Sequence, residues 1–472
     1  MIILGELMAF RARTIGNTSL YKGENSAENA FTLVIGDNGC GKTQLLLDIC
    51  NYYQMLYGEL LNSESADISI IRREYFNQNY KWGAIEKAFG QQVPQKLICA
   101  STSQFEKFNE NWRLKNDFVQ GGYYAYIGSK PFIPDRLPST RIASTALNQL
   151  LARDTYDTRK IQSLRQFLLS FGFDDVLKIS LEPVFSIEEF DKVKNGDDSL
   201  ALETQIALRN AYEHFELKDF NELNTLVAFI FEEPELLLCF GDSGVSLNSV
   251  DKNNQIPYSS RELADLLMSG LVSVADIETV NGQCFSKQGL SENARVRPLA
   301  SRSSGEQCLF LLFLGIISSI DDNSLILIDE PEISLHPSWQ QRFVEILNKS
   351  LNTYSGCHFV IATHSPLIVS DIAVKNCEIL DMTEQVLTNA SEHSFRSSDY
   401  HLATLFHNPG HSNEFLIKTA IYIFSKVKAV KKFETQDLEK LRMLNDQLSL
   451  LHKDDPVIEL FEMLNEVYHK YG

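Results

Sequence analysis

The chain has 472 residues, of which 44% are hydrophobic and 22% charged, and its 43 basic against 62 acidic side chains leave a net charge of −19. That length exceeds what one hydrophobic core usually serves, so two or three domains are expected in a soluble globular protein. The acidity argues against a surface that coats nucleic acid regardless of sequence, because phosphate binding draws on Lys and Arg. Local basic faces remain open to the chain, and the clearest, KVKAVKK (Lys426–Lys432), reads as a solvated helix face rather than a nucleic-acid patch. Met1–Phe10 lack the basic start and cleavage site of a secretory signal, and the longest apolar run, CLFLLFLGII (Cys308–Ile317), is too short at ten residues to cross a bilayer. The eight cysteines include no C-x-x-C pair and no His–Cys cluster, which predicts reduced thiols in a cytoplasmic protein rather than a zinc site.

In chain order, the first strong signal is FTLVIGDNGCGKTQLLLDIC (Phe31–Cys50). An apolar strand runs into a G-x-x-x-x-G-K-T loop and then a helical pattern, the context a phosphate-binding loop requires. Gly36, Gly39 and Gly41, with Asn38 and Cys40 between them, permit a tight turn whose backbone N–H groups can wrap phosphates. The helix N-terminus adds partial positive charge. Lys42 can reach the β- and γ-phosphates of ATP, and Thr43 can offer its hydroxyl to Mg²⁺.

QKLICASTSQFEKF (Gln95–Phe108) predicts a short buried strand leaving into a polar loop. Ser139–Asp154, Thr158–Phe171 and Leu200–Leu217 have helical periodicity, while DVLKISLEPVF and VAFIFEEPELLL (Val227–Leu238) read as strands. KNGDDS (Lys194–Ser199) predicts an exposed loop. No heptad pattern persists, so no long coiled coil is expected. The segment ASRSSGEQCLFLLFLGI (Ala300–Ile316) sets Ser303, Ser304, Gly305, Glu306 and Gln307 before an apolar helix. Such a site can bind an anion, and Ser304 with Gln307 also fits a plain capping box. LILIDEPEISLHP (Leu325–Pro337) repeats the pattern of the 227–238 stretch, an apolar run ending in two carboxylates and a proline, and both read as strands that deliver acids to a site. HFVIATHSP then carries His364 on a further strand.

The order of these segments resembles the ABC-type ATPase superfamily: P-loop, signature, Walker B strand, D-loop and switch histidine, over roughly residues 1–60 and 290–385. The resemblance implies an α/β head that dimerises around ATP, with the P-loop of one subunit facing the SSGEQ segment of the other. It implies that Asp329 and Thr43 hold Mg²⁺, that Glu330 polarises the attacking water, that His364 contacts the γ-phosphate, and that Ser334 and Leu335 form the D-loop. It also implies that Gln104, after the 95–101 strand, reaches Mg²⁺ and the water. Of the two similar stretches, only the second is followed by a D-loop and a histidine strand, so Glu232 and Glu233 read as turn or surface acids. The expected organisation is a head over 1–107 and 291–388, a mainly helical insertion with a few strands over 108–290 and a helical tail over 389–472.

Within the tail, RSSDYH places Arg396 and His401 at the spacing of some helical ribonucleases, and HNPGHSN (His407–Asn413) resembles fragments of a His-Asn-His nuclease. Neither has the surrounding pattern of a nuclease, and both read as loop and cap residues. The chain is further similar to the stand-alone ABC-type ATPases of bacterial antiphage systems, the Septu ATPase subunits PtuA among them. That resemblance implies homo-oligomers of ATP-clasped dimers and a separate HNH nuclease partner of the PtuB kind. The alternatives are a DNA-repair ATPase that engages DNA directly and a slow-turnover nucleotide sensor.

Overall fold

The computed structural model of the protein describes residues 9–62, 93–102, 108, 122–128, 138–151, 158–189, 192, 227–250, 256, 259–281, 285–286, 289–290, 295–370 and 372–471, apart from single positions 25, 187, 243 and 395. Gln104, the helix expected over 200–217 and the loop expected over 194–199 lie outside the described residues.

A small hairpin, β1 (Thr14–Ile15) and β2 (Thr18–Ser19), precedes β3 (Ala30–Ile35), which runs through the P-loop into α1 (Lys42–Asn62). β4 (Leu97–Ser101) and β5 (Tyr124–Ile127) follow, then α2 (Pro138–Leu151), α3 (Thr158–Ser170) and β6 (Val176–Pro183). β7 (Glu235–Gly241), β8 (Gly244–Ser249), α4 (Ser260–Ser269), β9 (Val272–Asn281), the hairpin β10 (Phe285–Ser286) and β11 (Gly289–Leu290), and β12 (Arg295–Pro298) complete the middle of the chain. The last third holds α5 (Ser304–Ser319), β13 (Leu325–Asp329), α6 (Pro337–Ser350), β14 (His358–Ala362), α7 (Pro366–Ser370), β15 (Cys377–Asp381) and β16 (Val386–Asn389). The tail helices are α8 (Ser398–Thr404), α9 (Glu414–Val430), α10 (Thr435–Gln447) and α11 (Pro456–Tyr471).

Seven strands form one sheet in the order β16-β15-β3-β14-β13-β4-β5. Every pairing is parallel except β15 with β16. β3, β4, β13, β14 and β15 are buried at every position, as near-continuous apolar runs predict for a sheet covered on both faces. Alternate residues go to different layers. Phe31, Leu33, Ile35, Ile98, Ile326 and Ile328 join the larger core with α5, whereas Val34, Leu97, Cys99, Leu325 and Leu327 join a second core built on α1. The result is a mixed α/β fold with a predominantly parallel central sheet.

A second sheet, ordered β12-β9-β6-β7-β8, is antiparallel throughout. Four of its strands, β6 to β9, lie in the 108–290 segment, where a mainly helical insertion with a few strands is expected and where the described residues hold strand and helix in comparable measure, with β5 on the edge of the parallel sheet. The 227–238 stretch is corrected: residues 227–232 are helical, and the strand begins at Glu235. Val227 and Ile230 are buried while Glu232 is exposed, a spacing of three that fits one helix face. An apolar run this short cannot be told from a strand by periodicity. The tail helices pack around their own core, with Leu416, Ile423, Val427, Leu444, Phe461 and Leu464 at its centre. Among the described residues no helix is long and apolar enough to cross a membrane.

Candidate nucleotide site

The C-terminal ends of five parallel strands lie in register. Ser101 pairs with Asp329, Asp329 with Ala362, and Ala362 with Val34, while Ile35 pairs with Asp381. The loops that leave this row carry the predicted residues. Gly36, Gly39 and Gly41 have φ of 139°, 80° and 100°, left-handed conformations that glycine adopts without strain. A side chain on Gly36 would also collide, since its Cβ would lie 2.9 Å from Cys40 Sγ and 3.0 Å from Thr383 Oγ1.

Lys42 opens α1, is 5% exposed, and folds back so that Nζ donates to the carbonyls of Gly36 (2.7 Å) and Asp37 (3.0 Å). Burial pushes its pKa down, opposed by Cys40 and by the carboxylates of Glu330 and Glu332. Thr43 Oγ1 donates to Asp329 Oδ1 at 3.2 Å. Two hard oxygens this close, next to a phosphate-binding loop, suit Mg²⁺. Asp329 is 3% exposed, and burial raises its carboxyl pKa to about 6; the neighbouring charge of Glu330 adds to the rise and the Thr43 hydroxyl opposes it.

Glu330 follows directly, held by its N–H to Ala362 O (2.9 Å) and by Thr102 Oγ1, which donates to its carbonyl at 2.6 Å. Its φ of 51° is an uncommon conformation for a residue with a side chain and costs on the order of 1 kcal/mol. His364 Nε2 stands 3.7 Å from Glu330 Oε1. Its pKa is lowered by burial and then by Lys42, so the imidazole is neutral at pH 7. The structure therefore brings together the P-loop, Asp329, Glu330 and His364.

The signature segment stands elsewhere on the same chain. Its cap is Ser303 with Glu306, each side chain serving the other's backbone N–H, rather than Ser304 with Gln307. The helix starts one residue earlier than the Ser304 pairing assumes, and Gln307 instead donates to the carbonyls of Ala300 and Arg302. Arg302 stacks on Phe173 at 4.3 Å and donates to Thr279 of β9, so the antiparallel sheet braces this helix start. Ser304 is exposed. Gly305 is buried against the D-loop, where a Cβ would come within 2.1 Å of Ser334 O. Ser334, at φ 64°, is exposed beside it.

Two residues escaped the sequence reading. Thr102 buttresses Glu330, as just described. Glu332, the third carboxylate of DEPE, accepts the backbone N–H of His364 and ties the Walker B turn to the switch strand. Away from the site, Glu232 is exposed and Glu233 accepts from Ser249 Oγ at 3.1 Å. The two tail segments are used structurally. His401 is fully buried and pushed down to about 4 by burial, while Arg396 lies over the Tyr400 ring. Asn413 caps α9, and His407 pairs with Asp381.

Residues 166–370 match the family described as "AAA domain, putative AbiEii toxin, Type IV TA system". The matched residues take in the Ser303–Gln307 segment, Asp329, Glu330 and His364. The chain is 23% identical over 394 residues to the retron Vc95 probable ATPase of Vibrio cholerae serotype O1 biovar El Tor, covering 75% of this chain and 70% of that protein. It is 33% identical over 343 residues to protein ea59 of Escherichia phage lambda, covering 73% of this chain and 46% of that protein. A stretch of 72 residues is 36% identical to the retron Ec83 probable ATPase of Escherichia coli, covering 15% of this chain and 13% of that protein.

Two stability predictions follow from the geometry. A carboxyl whose pKa is raised on folding stabilises the fold only while protonated, and that contribution is lost as pH rises through about 6. Asp329→Asn is therefore expected to stabilise the nucleotide-free protein at pH 8 by about 1–3 kcal/mol, with the gain shrinking as pH falls toward 4; denaturant unfolding at several pH values reads it. Gly305→Ala should cost about 1–3 kcal/mol through overpacking against Ser334, seen as a lower unfolding midpoint.

Proposed function

We propose that the protein is an ABC-type ATPase subunit that binds ATP with Mg²⁺, closes on it as a dimer, and governs a separate nuclease in antiphage defence. The observation that carries the reading is the division of the site. P-loop, Asp329, Glu330 and His364 converge, while the Ser303–Gln307 helix start presents an exposed Ser304 and turns Gly305 against its own D-loop. A signature facing outward beside its D-loop fits a second copy's phosphates.

In this reading the P-loop N–H groups and Lys42 bind the phosphates, and Lys42 gives up its contacts with the Gly36 and Asp37 carbonyls to do so. Thr43 and Asp329 are the residues that would hold Mg²⁺, which would neutralise charge on the phosphates. Glu330 takes the proton from the attacking water. Neutral His364 offers its Nε2 beside that carboxylate, and Glu332 holds its backbone in place. Gln104, three residues beyond the end of β4, would complete the site.

The retron relatives and the toxin–antitoxin wording of the family description favour a defence setting. An HNH nuclease of the PtuB kind is the partner proposed, acting from the cytoplasm. The structural use of Arg396, His401 and His407 supports placing nuclease chemistry in that partner.

Glu330→Gln should bind ATP, lose most turnover and accumulate as an ATP-held dimer by light scattering. Glu232→Gln with Glu233→Gln should leave turnover nearly intact; a reversed pattern would overturn the assignment. Ser304→Arg and Lys42→Ala should each be inactive alone yet regain partial hydrolysis when mixed, because the mixed dimer pairs one intact P-loop with one intact signature. A Ser304→Arg protein that hydrolyses normally as a monomer would rule out the clasped dimer.

A further inference from the structure

The helical tail reaches the outer side of the P-loop through a short chain of polar contacts. His407, in the loop between α8 and α9, places Nε2 3.1 Å from Asp381 Oδ2. Asp381 ends β15, is 8% exposed, and accepts through Oδ1 the N–H groups of Thr383 (2.8 Å) and Glu384 (3.2 Å). Those bonds shape the turn between β15 and β16. Thr383 in turn accepts the N–H of Asp37, inside the P-loop, on Oγ1 at 3.0 Å. Next to it, Met382 N–H donates to Ile35 O at 2.9 Å, and Thr383 fills the space against Gly36 that a side chain there would need. His407 sits at φ 46°, a left-handed conformation uncommon for a residue with a side chain.

A second path starts at the switch histidine. α7 begins at Pro366, two residues after His364, and α8, the first helix of the tail, packs on it. Leu405 and Phe406, just before His407, pack into the core of the head that also holds Ile368 and Val369 of α7. One end of the tail thus connects through the β15–β16 turn to the P-loop, and through α7 to the strand end that carries His364.

We propose that Thr383 and Asp381 are positioning residues of the P-loop and that His407 makes their placement depend on the tail, so that nucleotide binding and the docking of α8 and α9 are coupled. The inference rests on the ATP-binding reading above. By linkage, whatever nucleotide does to the tail, a partner that holds the tail does to nucleotide affinity. This identifies the 398–430 helices as the part of the chain through which a bound protein would sense or set ATP occupancy.

The test uses full-length protein carrying Glu330→Gln, so that ATP binds without turnover. Calorimetry measures ATP affinity, and hydrogen exchange follows the amides of 398–430 with and without ATP. Thr383→Val and His407→Ala should each weaken ATP binding about three- to tenfold, the loss expected of one hydrogen bond, while Thr383→Ser restores affinity. The double variant should lose no more than the weaker binder of the two, as for links in one chain. ATP should change exchange in 398–430, and His407→Ala should abolish that response in a protein whose melting still shows it folded. Unchanged affinity in both variants, additive losses, or an ATP response that survives His407→Ala would overturn the coupling. Failure of the Glu330→Gln parent itself to bind ATP would instead bring down the ATPase reading, and this inference with it.

Discussion

The backbone pairing across the ends of β4, β13, β14, β3 and β15 is the constraint on which the rest of the molecule depends. Asp329 is opposite both Ser101 and Ala362, and Ala362 is opposite Val34. Each strand leaves the sheet at that row, so Thr102, Glu330, His364, Gly36 and Asp381 emerge side by side although they are scattered over most of the chain. The register is stiff because alternate residues of these strands feed two separate cores. A slip of one residue would exchange the layers, and polar ends would enter apolar surroundings.

That row concentrates unfavourable charge before any nucleotide arrives. Asp329, Glu330 and Glu332 crowd one strand end, the first raised to about 6 by burial, while burial also raises Glu332 and lowers Lys42. Glu330 carries a left-handed backbone as well. Groups disfavoured in this way become favourable once a divalent cation and phosphates supply the opposite charges. The site is thus less comfortable alone than it would be with those charges supplied.

Gly36–Thr43, Asp329, Glu330 and His364, which the structure brings together, could be singled out in the chain because each stands in a local pattern of particular residues within a few positions. What holds them was harder to see. Glu332, Thr102 and the Asp381–Thr383 turn act through partners between 30 and 350 residues away, and no local spacing announces such contacts. The 227–231 run shows the opposite limit. Five apolar residues fit a strand or a helix face equally well, and packing of Val227 and Ile230 decided for the helix. The antiparallel sheet was only half anticipated, since β6 read clearly while the polar-flanked β8 and β12 did not.

The signature helix start depends on that sheet through Arg302, and its outward face is the reason for reading the catalytic unit as two chains. The most direct measurement is the specific rate of ATP hydrolysis, at saturating ATP and Mg²⁺, across a wide range of protein concentration. A site completed by a second copy predicts a rate per subunit that climbs from near zero at high dilution to a plateau, in step with dimer formation by light scattering. A rate per subunit that stays constant down to concentrations where the protein is monomeric would contradict the account.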